Sequence, residues 1–300
     1  MKNIPFLALI IFAVACTTGC HKSGRNDYTL NINGDTREYI VYVPTHYTPG
    51  TDYPLVCMLH GSSGTGERFY NISGWNDVAE SDSFLVVYPT SWAYDIQDNN
   101  CNGTLVTRWM DYIGSTTICD PTEERDDVAF IDSMLDVVQA VFSVDQDRIY
   151  MAGFSSGGNM TARLSVELSD RLAASGIVAG TLPADTIFAP IGNPAIQVVV
   201  GNQDPGIVDQ TIFTDSLPMN FATLFTDPLF QGIINTYQQS FNLNSTYTVN
   251  GDSTAFLHAR FNATSGNHYL RMTLVQGLQH RFPNPGGATA LWSFFKNKTL

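Results

Sequence analysis

The chain has 300 residues, 44% of them hydrophobic, with 28 acidic against 15 basic side chains and a formal net charge of −13. That length suffices for one large core. The acid excess excludes a nucleic-acid binder, whose partner's phosphates would be repelled, and a polybasic membrane-surface protein.

Lys2 and the apolar segment 4–15 read as an export signal, too short to span a bilayer and closed by small residues. Cleavage would fall before Cys16, after Ala13-Val14-Ala15, or before Cys20, after Gly19. Either cysteine could then be the lipid-modified first residue, since the segment resembles a lipobox; plain secretion after Ala15 is the alternative. Residues 1–20 are assigned to this signal, 21–36 to a polar tether (21–27) and the first strand, and 37–300 to one domain.

Thr36 to Val43 alternates, with Tyr39, Val41 and Val43 on one side, as a half-buried strand does. Pro54 to His60 is a continuous apolar run, the mark of a strand covered on both faces, and Cys57 inside it reads as a buried free thiol. Trp75 to Asp82 predicts a short helix and Phe84 to Tyr88 another buried strand, stopped by Pro89. From Thr90 to Arg125 the chain is irregular. In an exported protein Cys101 and Cys119, within that stretch, pair most economically with each other, closing a loop for about 3 kcal/mol. No Cys-x-x-Cys or His-rich spacing occurs, so no metal or cofactor is expected.

Asp126 and Asp127 precede Val128, Ile131, Leu135, Val138 and Phe142 at helical spacing, and both acids are expected to serve that helix's N-terminus, a catalytic pair being the alternative. Short apolar runs follow at 148–152, 176–179 and 195–201. The region 205–268 is the least patterned, with a helix expected at 229–241 and strands near 254–261. A strand at 270–275 and a helix at 288–296 close the chain. Strands alternating with helices predict a mostly parallel sheet with helices on both faces.

The densest signal is Gly153-Phe154-Ser155-Ser156-Gly157, between the apolar run 148–152 and the helical pattern of 159–168. A buried strand ending in Gly-x-Ser-x-Gly and leading into a helix describes a nucleophile elbow, whose tight turn lifts the Ser155 hydroxyl out of the sheet. A serine hydroxyl is a poor nucleophile without a base, and the base needs an orienting acid. In this architecture the order is serine, acid, histidine, each on a loop at a strand's carboxyl end. His21, His46 and His60 precede the serine, His258 falls inside a strand, and His268 stands at the wrong end of one. His280, after the 270–275 strand, meets both conditions. Asp204, just beyond the strand ending at Gly201, is the acid expected, with Asp209 and Asp215 as nearby competitors. Backbone donors for an oxyanion are expected at Ser156 and in the glycine-rich turn His60-Gly61-Ser62-Ser63-Gly64, with Ser62 as donor. Trp75, Trp92 and Trp109 could wall a binding site or belong to the core.

From Arg37 to the C-terminus the chain resembles the polyhydroxybutyrate-depolymerase-type esterases of the α/β-hydrolase fold, close to bacterial feruloyl and acetylxylan esterases. The resemblance rests on segments 39–44, Leu59-His60-Gly61, 84–89, 126–131, Asp147-Arg148-Ile149-Tyr150, the elbow, the His280 loop ending at Pro283, and 292–295. It implies an α/β-hydrolase fold and a triad of Ser155, Asp204 and His280. It also implies a secreted or lipid-anchored serine esterase acting on an ester substrate that can be polymeric, as a monomer without a cofactor. Two positions depart from the family: Val200 stands where it usually has His before the acid's glycine, and Ser62 where it often has Cys. A serine peptidase, or a non-catalytic surface binding protein on the same scaffold, are the other readings.

Overall fold

The computed structural model describes residues 23–300, so the export segment with Cys16, Cys20 and His21 lies outside the described residues. The strands are β1 (Gly24–Ile32), β2 (Asp35–Val43), β3 (Tyr53–Leu59), β4 (Leu85–Pro89), β5 (Ala93–Asp95) and β6 (Leu105–Thr107). They continue with β7 (Val144–Phe154), β8 (Ala174–Val178), β9 (Ala195–Gly201), β10 (Thr248–Asp252), β11 (Phe256–Asn262) and β12 (Tyr269–Val275). The helices are α1 (Gly66–Ile72), α2 (Trp75–Asp82), α3 (Asp127–Val141), α4 (Ser156–Glu167), α5 (Pro205–Val208), α6 (Phe221–Leu224), α7 (Pro228–Ser240) and α8 (Gly287–Phe295).

Ten strands form one sheet in the order β1-β2-β4-β3-β7-β8-β9-β12-β11-β10. The six central strands, β4 to β12, run parallel, and the outer pairs turn antiparallel. The apolar runs explain this division. β3, β4, β8 and β9 are buried along their whole length, as strands covered on both faces must be, whereas β1 alternates half-buried with exposed positions. On one face α3, α4 and α7 pack on Leu55, Met151, Ile196, Leu270 and Met272. On the other, Val56, Tyr150, Ala174 and Val199 meet α2 and α8. Gly176 makes room for α8: a Cβ there would come within 2.8 Å of Leu291.

Most expected elements occur. Strands at 36–43, 54–60, 84–88, 195–201 and 270–275 and helices at 75–82, 229–241 and 288–296 match within one or two residues. Cys57 is a buried free thiol. Four details differ. Residues 24–27, read as tether, already belong to β1, which pairs with β2 from Gly24↔Val43 onward; its polar, exposed positions hide it from a hydrophobicity scan. The irregular stretch 90–125 holds the β5–β6 ribbon and short 3-10 turns. There Cys101 and Cys119 lie with Cα atoms 5.7 Å apart and sulfurs at bonding distance. α1, α5 and α6 have no counterpart among the expected elements, and the strands expected near 254–261 are β10 and β11.

The fourth difference concerns the two acids before α3. Asp126 is the cap, accepting the Ala129 amide at 2.9 Å. Asp127 instead turns inward, fully buried, onto Arg37 of β2 (2.6 Å) and the Met110 amide (2.8 Å). Arg37 lies over the Phe130 ring at 4.1 Å. One residue of offset sends a charged side chain from solvent to core, because successive positions at a helix start point about 100° apart. Among the described residues no helix is long and apolar enough to cross a membrane.

Truncating the two acids should separate their roles. Asp126→Ala removes a surface cap and should lower unfolding free energy by about 1 kcal/mol. Asp127→Ala strands a buried guanidinium and should cost about 3–5 kcal/mol in urea unfolding; equal losses would refute the assignment.

Candidate active site

Ser155 sits where β7 turns into α4, at φ 55° and ψ −121°. A non-glycine residue adopts that backbone only when its surroundings leave no alternative. The surroundings are crowded backbone. A Cβ on Gly153 would stand 2.0 Å from the Gly157 carbonyl oxygen, and one on Gly157 would stand 2.4 Å from the His60 oxygen and 2.6 Å from that of Leu59. The Ser155 amide donates to Val178 of β8 at 2.9 Å. The two glycines thus let α4 start directly against the end of β3.

His280 and Asp204 arrive from the ends of β12 and β9, two neighbouring parallel strands. Their loops are stitched together. Asn202 donates its amide to Val275 (3.0 Å), Gln203 donates to Leu278 (3.1 Å), and Gly277 donates to the Asn202 side chain (2.7 Å). The crossing is so close that a Cβ on Gly201 would lie 2.1 Å from the Leu278 oxygen. The result is a continuous row: Ser155 Oγ to His280 Nε2 at 2.9 Å, and His280 Nδ1 to the two Asp204 oxygens at 3.0 and 2.9 Å. Asp204 is fully buried and also accepts the Gly206 amide at 2.9 Å. The Asp204 carboxylate, bonded to the ring, raises the His280 pKa above its ordinary 6.5, against burial, which lowers it. Phe154 stands 5.1 Å from the His280 ring and helps hold its orientation.

The structure brings Ser155, His280 and Asp204 together; Asp209 and Asp215 are exposed, and His280 has Asp204 as its acid partner. Val200, the departure before Gly201, is buried in the core and does not disturb Asp204. The other histidines are accounted for locally: His46 bonds Ser83, His258 bonds Thr273 and His268 meets the Phe241 carbonyl. His60 is wholly buried. Its Nδ1 meets the Gly61 carbonyl (2.7 Å), which can only accept, and its Nε2 receives the Ser91 amide (3.0 Å). That pattern requires the neutral ring, and burial pushes its pKa down to about 4.

Ser156 is the first residue of α4, where a helix leaves its amides without intrahelical partners. Ser62 is exposed in the turn closed by Gly64 N to Gly61 O (3.0 Å), and both serines line the cavity around Ser155 and His280. This turn is held by the long loop. Ser63 donates to Thr107 (2.9 Å), Thr107 Oγ1 donates to Gly64 (2.6 Å), and Trp109 Nε1 donates to the His60 carbonyl (2.9 Å). Trp75 and Trp109 are core residues, and Trp92 lies under Arg125 at 5.2 Å; none of the three lines the cavity.

The cavity measures about 460 Å³. Its walls include the polar Arg108, Asp111 and Asn159 and the apolar Leu182, Ile207 and Ile233. Asp111 is buried, which pushes its pKa up, and its Oδ1 accepts the Ile113 amide at 2.9 Å. No motif marks these wall residues; they come from separate segments, the 90–125 stretch (Arg108, Asp111), α4 (Asn159), the loop after β8 (Leu182), α5 (Ile207) and α7 (Ile233). Among the described residues no group of three or more His, Cys, Asp or Glu is placed to hold a metal ion.

A family model described as "Esterase PHB depolymerase" matches residues 37–219. A bifunctional acetylxylan esterase/xylanase of Neocallimastix patriciarum is 23% identical over 285 residues, covering 92% of this chain and 35% of the relative. A poly(3-hydroxyalkanoate) depolymerase C of Paucimonas lemoignei is 27% identical over 179 residues, covering 60% of this chain and 39% of the relative. The chain thus spans little more than a third of the length of either. Among solved structures an acetyl xylan esterase from Aspergillus awamori superposes with a TM-score of 0.56 at 16% identity, covering 90% of this chain and 99% of that one. The fold is the α/β-hydrolase fold.

A fluorophosphonate probe should label one serine, with the mass increment on the Ser155 peptide. Ser155→Ala should abolish labelling and His280→Ala should slow it on the order of 10²-fold or more; labelling elsewhere would refute the assignment.

Proposed function

The chain belongs to the esterase PHB depolymerase family, and on that premise we propose that it is a carboxylic ester hydrolase working through Ser155, His280 and Asp204. The unbroken hydrogen-bonded row from Ser155 Oγ to buried Asp204, at the carboxyl ends of parallel strands, is the observation that supports this reading. Neutral His280 takes the hydroxyl proton as Ser155 Oγ bonds to the ester carbonyl carbon. The resulting oxyanion is received by the amides of Ser156 and Ser62. Collapse breaks the ester bond, and His280 gives its proton to the departing alcohol. Water then attacks the acyl-serine with the same proton traffic, releasing the acid and restoring Ser155. Asp204 holds the Nδ1–H tautomer and offsets the imidazolium charge.

The substrate we assign is an ester whose alcohol or acyl part carries hydroxyl groups, as acylated plant polysaccharide does. The mixed cavity wall supports this: Arg108, Asp111 and Asn159 offer donors and acceptors that a pure hydrocarbon ester would leave unmatched. The names of the Neocallimastix and Aspergillus relatives point the same way, while that of the depolymerase keeps polyester as the competing substrate. Export, with lipidation at Cys16 or Cys20, and a Cys101–Cys119 disulfide suited to an oxidising compartment complete the proposal.

A chromogenic acetate ester tests the chemistry. Ser155→Ala should lower kcat on the order of 10⁶-fold; a wild-type protein without turnover would leave a binding role, and preferential cleavage of a peptide anilide would favour the peptidase. Methyl ferulate, acetylated xylan and polyhydroxybutyrate, compared side by side, rank the substrates. The pH profile has a fixed sign. His280 must be neutral to accept a proton, and Asp204 raises its pKa, so kcat/KM should fall as pH drops through a midpoint above 6.5. Asp204→Asn should move that midpoint down and lower kcat/KM on the order of 10³–10⁴-fold.

A further inference from the structure

On the face of the sheet that carries α8, the helix packs over β8 and the face beyond it opens into a separate cavity of about 340 Å³. Its floor is set by strand alternation and register. Gln197 of β9 lies opposite Arg271 of β12, and Thr273 lies opposite His258 of β11, all pointing to this face. Its walls are apolar: Val178, Val199, Val275 and Leu291.

The floor is one polar chain across three strands. Arg271 Nη2 donates to Gln197 Oε1 (2.6 Å), Gln197 Nε2 donates to Thr273 Oγ1 (3.0 Å), and Thr273 Oγ1 meets His258 Nδ1 (2.9 Å). No carboxylate takes part. Arg271 Nε is sealed from water without a hydrogen bond, and the guanidinium lies over Phe294 at 4.4 Å. Arg260 sits opposite Arg271 in the ladder, its guanidinium over Tyr269 at 3.8 Å, and Lys298 lies 5.3 Å from the same ring. Among the described residues none of these three cations forms an ion pair. In a chain with 28 acids and 15 bases, three neighbouring cations without a carboxylate are a local reversal of the protein's charge. A part-buried guanidinium facing only an amide and aromatic faces carries a desolvation cost that a bound anion would offset.

We propose that this cavity is a second ligand site, distinct from the one at Ser155, and that it binds a small monocarboxylate with an apolar body. The carboxylate would meet the Arg271 guanidinium and the His258 imidazole, and the body would fill the space between Val178, Val199, Val275 and Leu291. A monoanion matches because the floor carries a single charge: burial and the Arg271 charge push the His258 pKa down to about 4, so its ring is neutral at physiological pH. Burial also lowers the Arg271 pKa, the direction expected of a cation with no counter-charge. The site does not depend on the esterase reading. It does abut the loop bearing His280, through Pro283 and Gly286.

Calorimetric titration of the full chain with sodium benzoate tests it, with benzamide as the neutral control. Benzoate should saturate, with benzamide binding about tenfold or more weakly. Arg271→Gln should weaken benzoate by at least about tenfold. Ala290→Trp, on the exposed side of α8 and lining the cavity, should block it without touching the core. Saturating benzoate should leave the rate of fluorophosphonate labelling at Ser155 unchanged, which separates this site from the one at Ser155. Absence of saturable binding to the wild type would overturn the proposal whatever the variants do. So would undiminished binding to the folded Arg271→Gln and Ala290→Trp proteins, or benzoate that protects Ser155 from the probe.

Discussion

The close passage of three backbone segments governs this molecule: the end of β3, the end of β7 and the first turn of α4. Gly153 and Gly157 have no space for a side chain, since a Cβ would penetrate the Gly157, Leu59 or His60 carbonyls. That contact forces Ser155 into a left-handed backbone at φ 55°. The strain is tolerable because both flanking elements are anchored in the most buried part of the sheet. The same approach brings the turn after β3, with Ser62, alongside the first amides of α4. A single packing constraint thereby aims the hydroxyl and collects the donors around it.

The other two members of the row depend on a second close passage, that of Gly201 beneath Leu278. Adjacent parallel strands end side by side, so loops leaving β9 and β12 must either diverge or interlock. Here Asn202 interlocks them through backbone and side-chain bonds, and Asp204 is drawn into a buried position where its one charge faces His280. A carboxylate so placed acts on the imidazole more strongly than an exposed one would, because water screens it less.

Around this site the irregular 90–125 segment behaves as a brace. It is tied to the core through Asp127 and Met110, and to the turn after β3 through Thr107 and Trp109. The neutral, wholly buried His60 links the turn to Ser91 from below. The Arg37–Asp127 pair is the polar anchor of that arrangement. Buried pairs of this kind contribute little net stability, yet losing one partner is expensive, so they restrict which arrangement of the loop is allowed. On the opposite face, the cations of β11, β12 and the C-terminus show the reverse situation, charge with amide and aromatic neighbours but no ion-pair partner among the described residues.

Much of this was legible in the amino-acid order because it rests on local rules. Continuous apolar runs marked the central strands, helical spacing marked α2, α3, α7 and α8, and two glycines around Ser155 announced a turn with no room for a Cβ. Chain order and strand ends were enough to single out His280 and to put Asp204 ahead of Asp209 and Asp215, since in a parallel sheet every loop leaving a carboxyl end reaches the same rim. Other features had no local signature. The start of β1 at 24–27 is too polar to stand out, and it is strand because β2 offers it an edge. Asp127 differs from Asp126 by one position and belongs to Arg37, ninety residues earlier. The walls at Arg108 and Asp111 and the floor at Arg271 and His258 exist only where distant segments meet. Sequence by itself determined which backbone Ser155 adopts, because steric exclusion acts between neighbours in the chain. Tertiary structure alone decided which charges were paired and which were left open, because electrostatic partners are chosen in space.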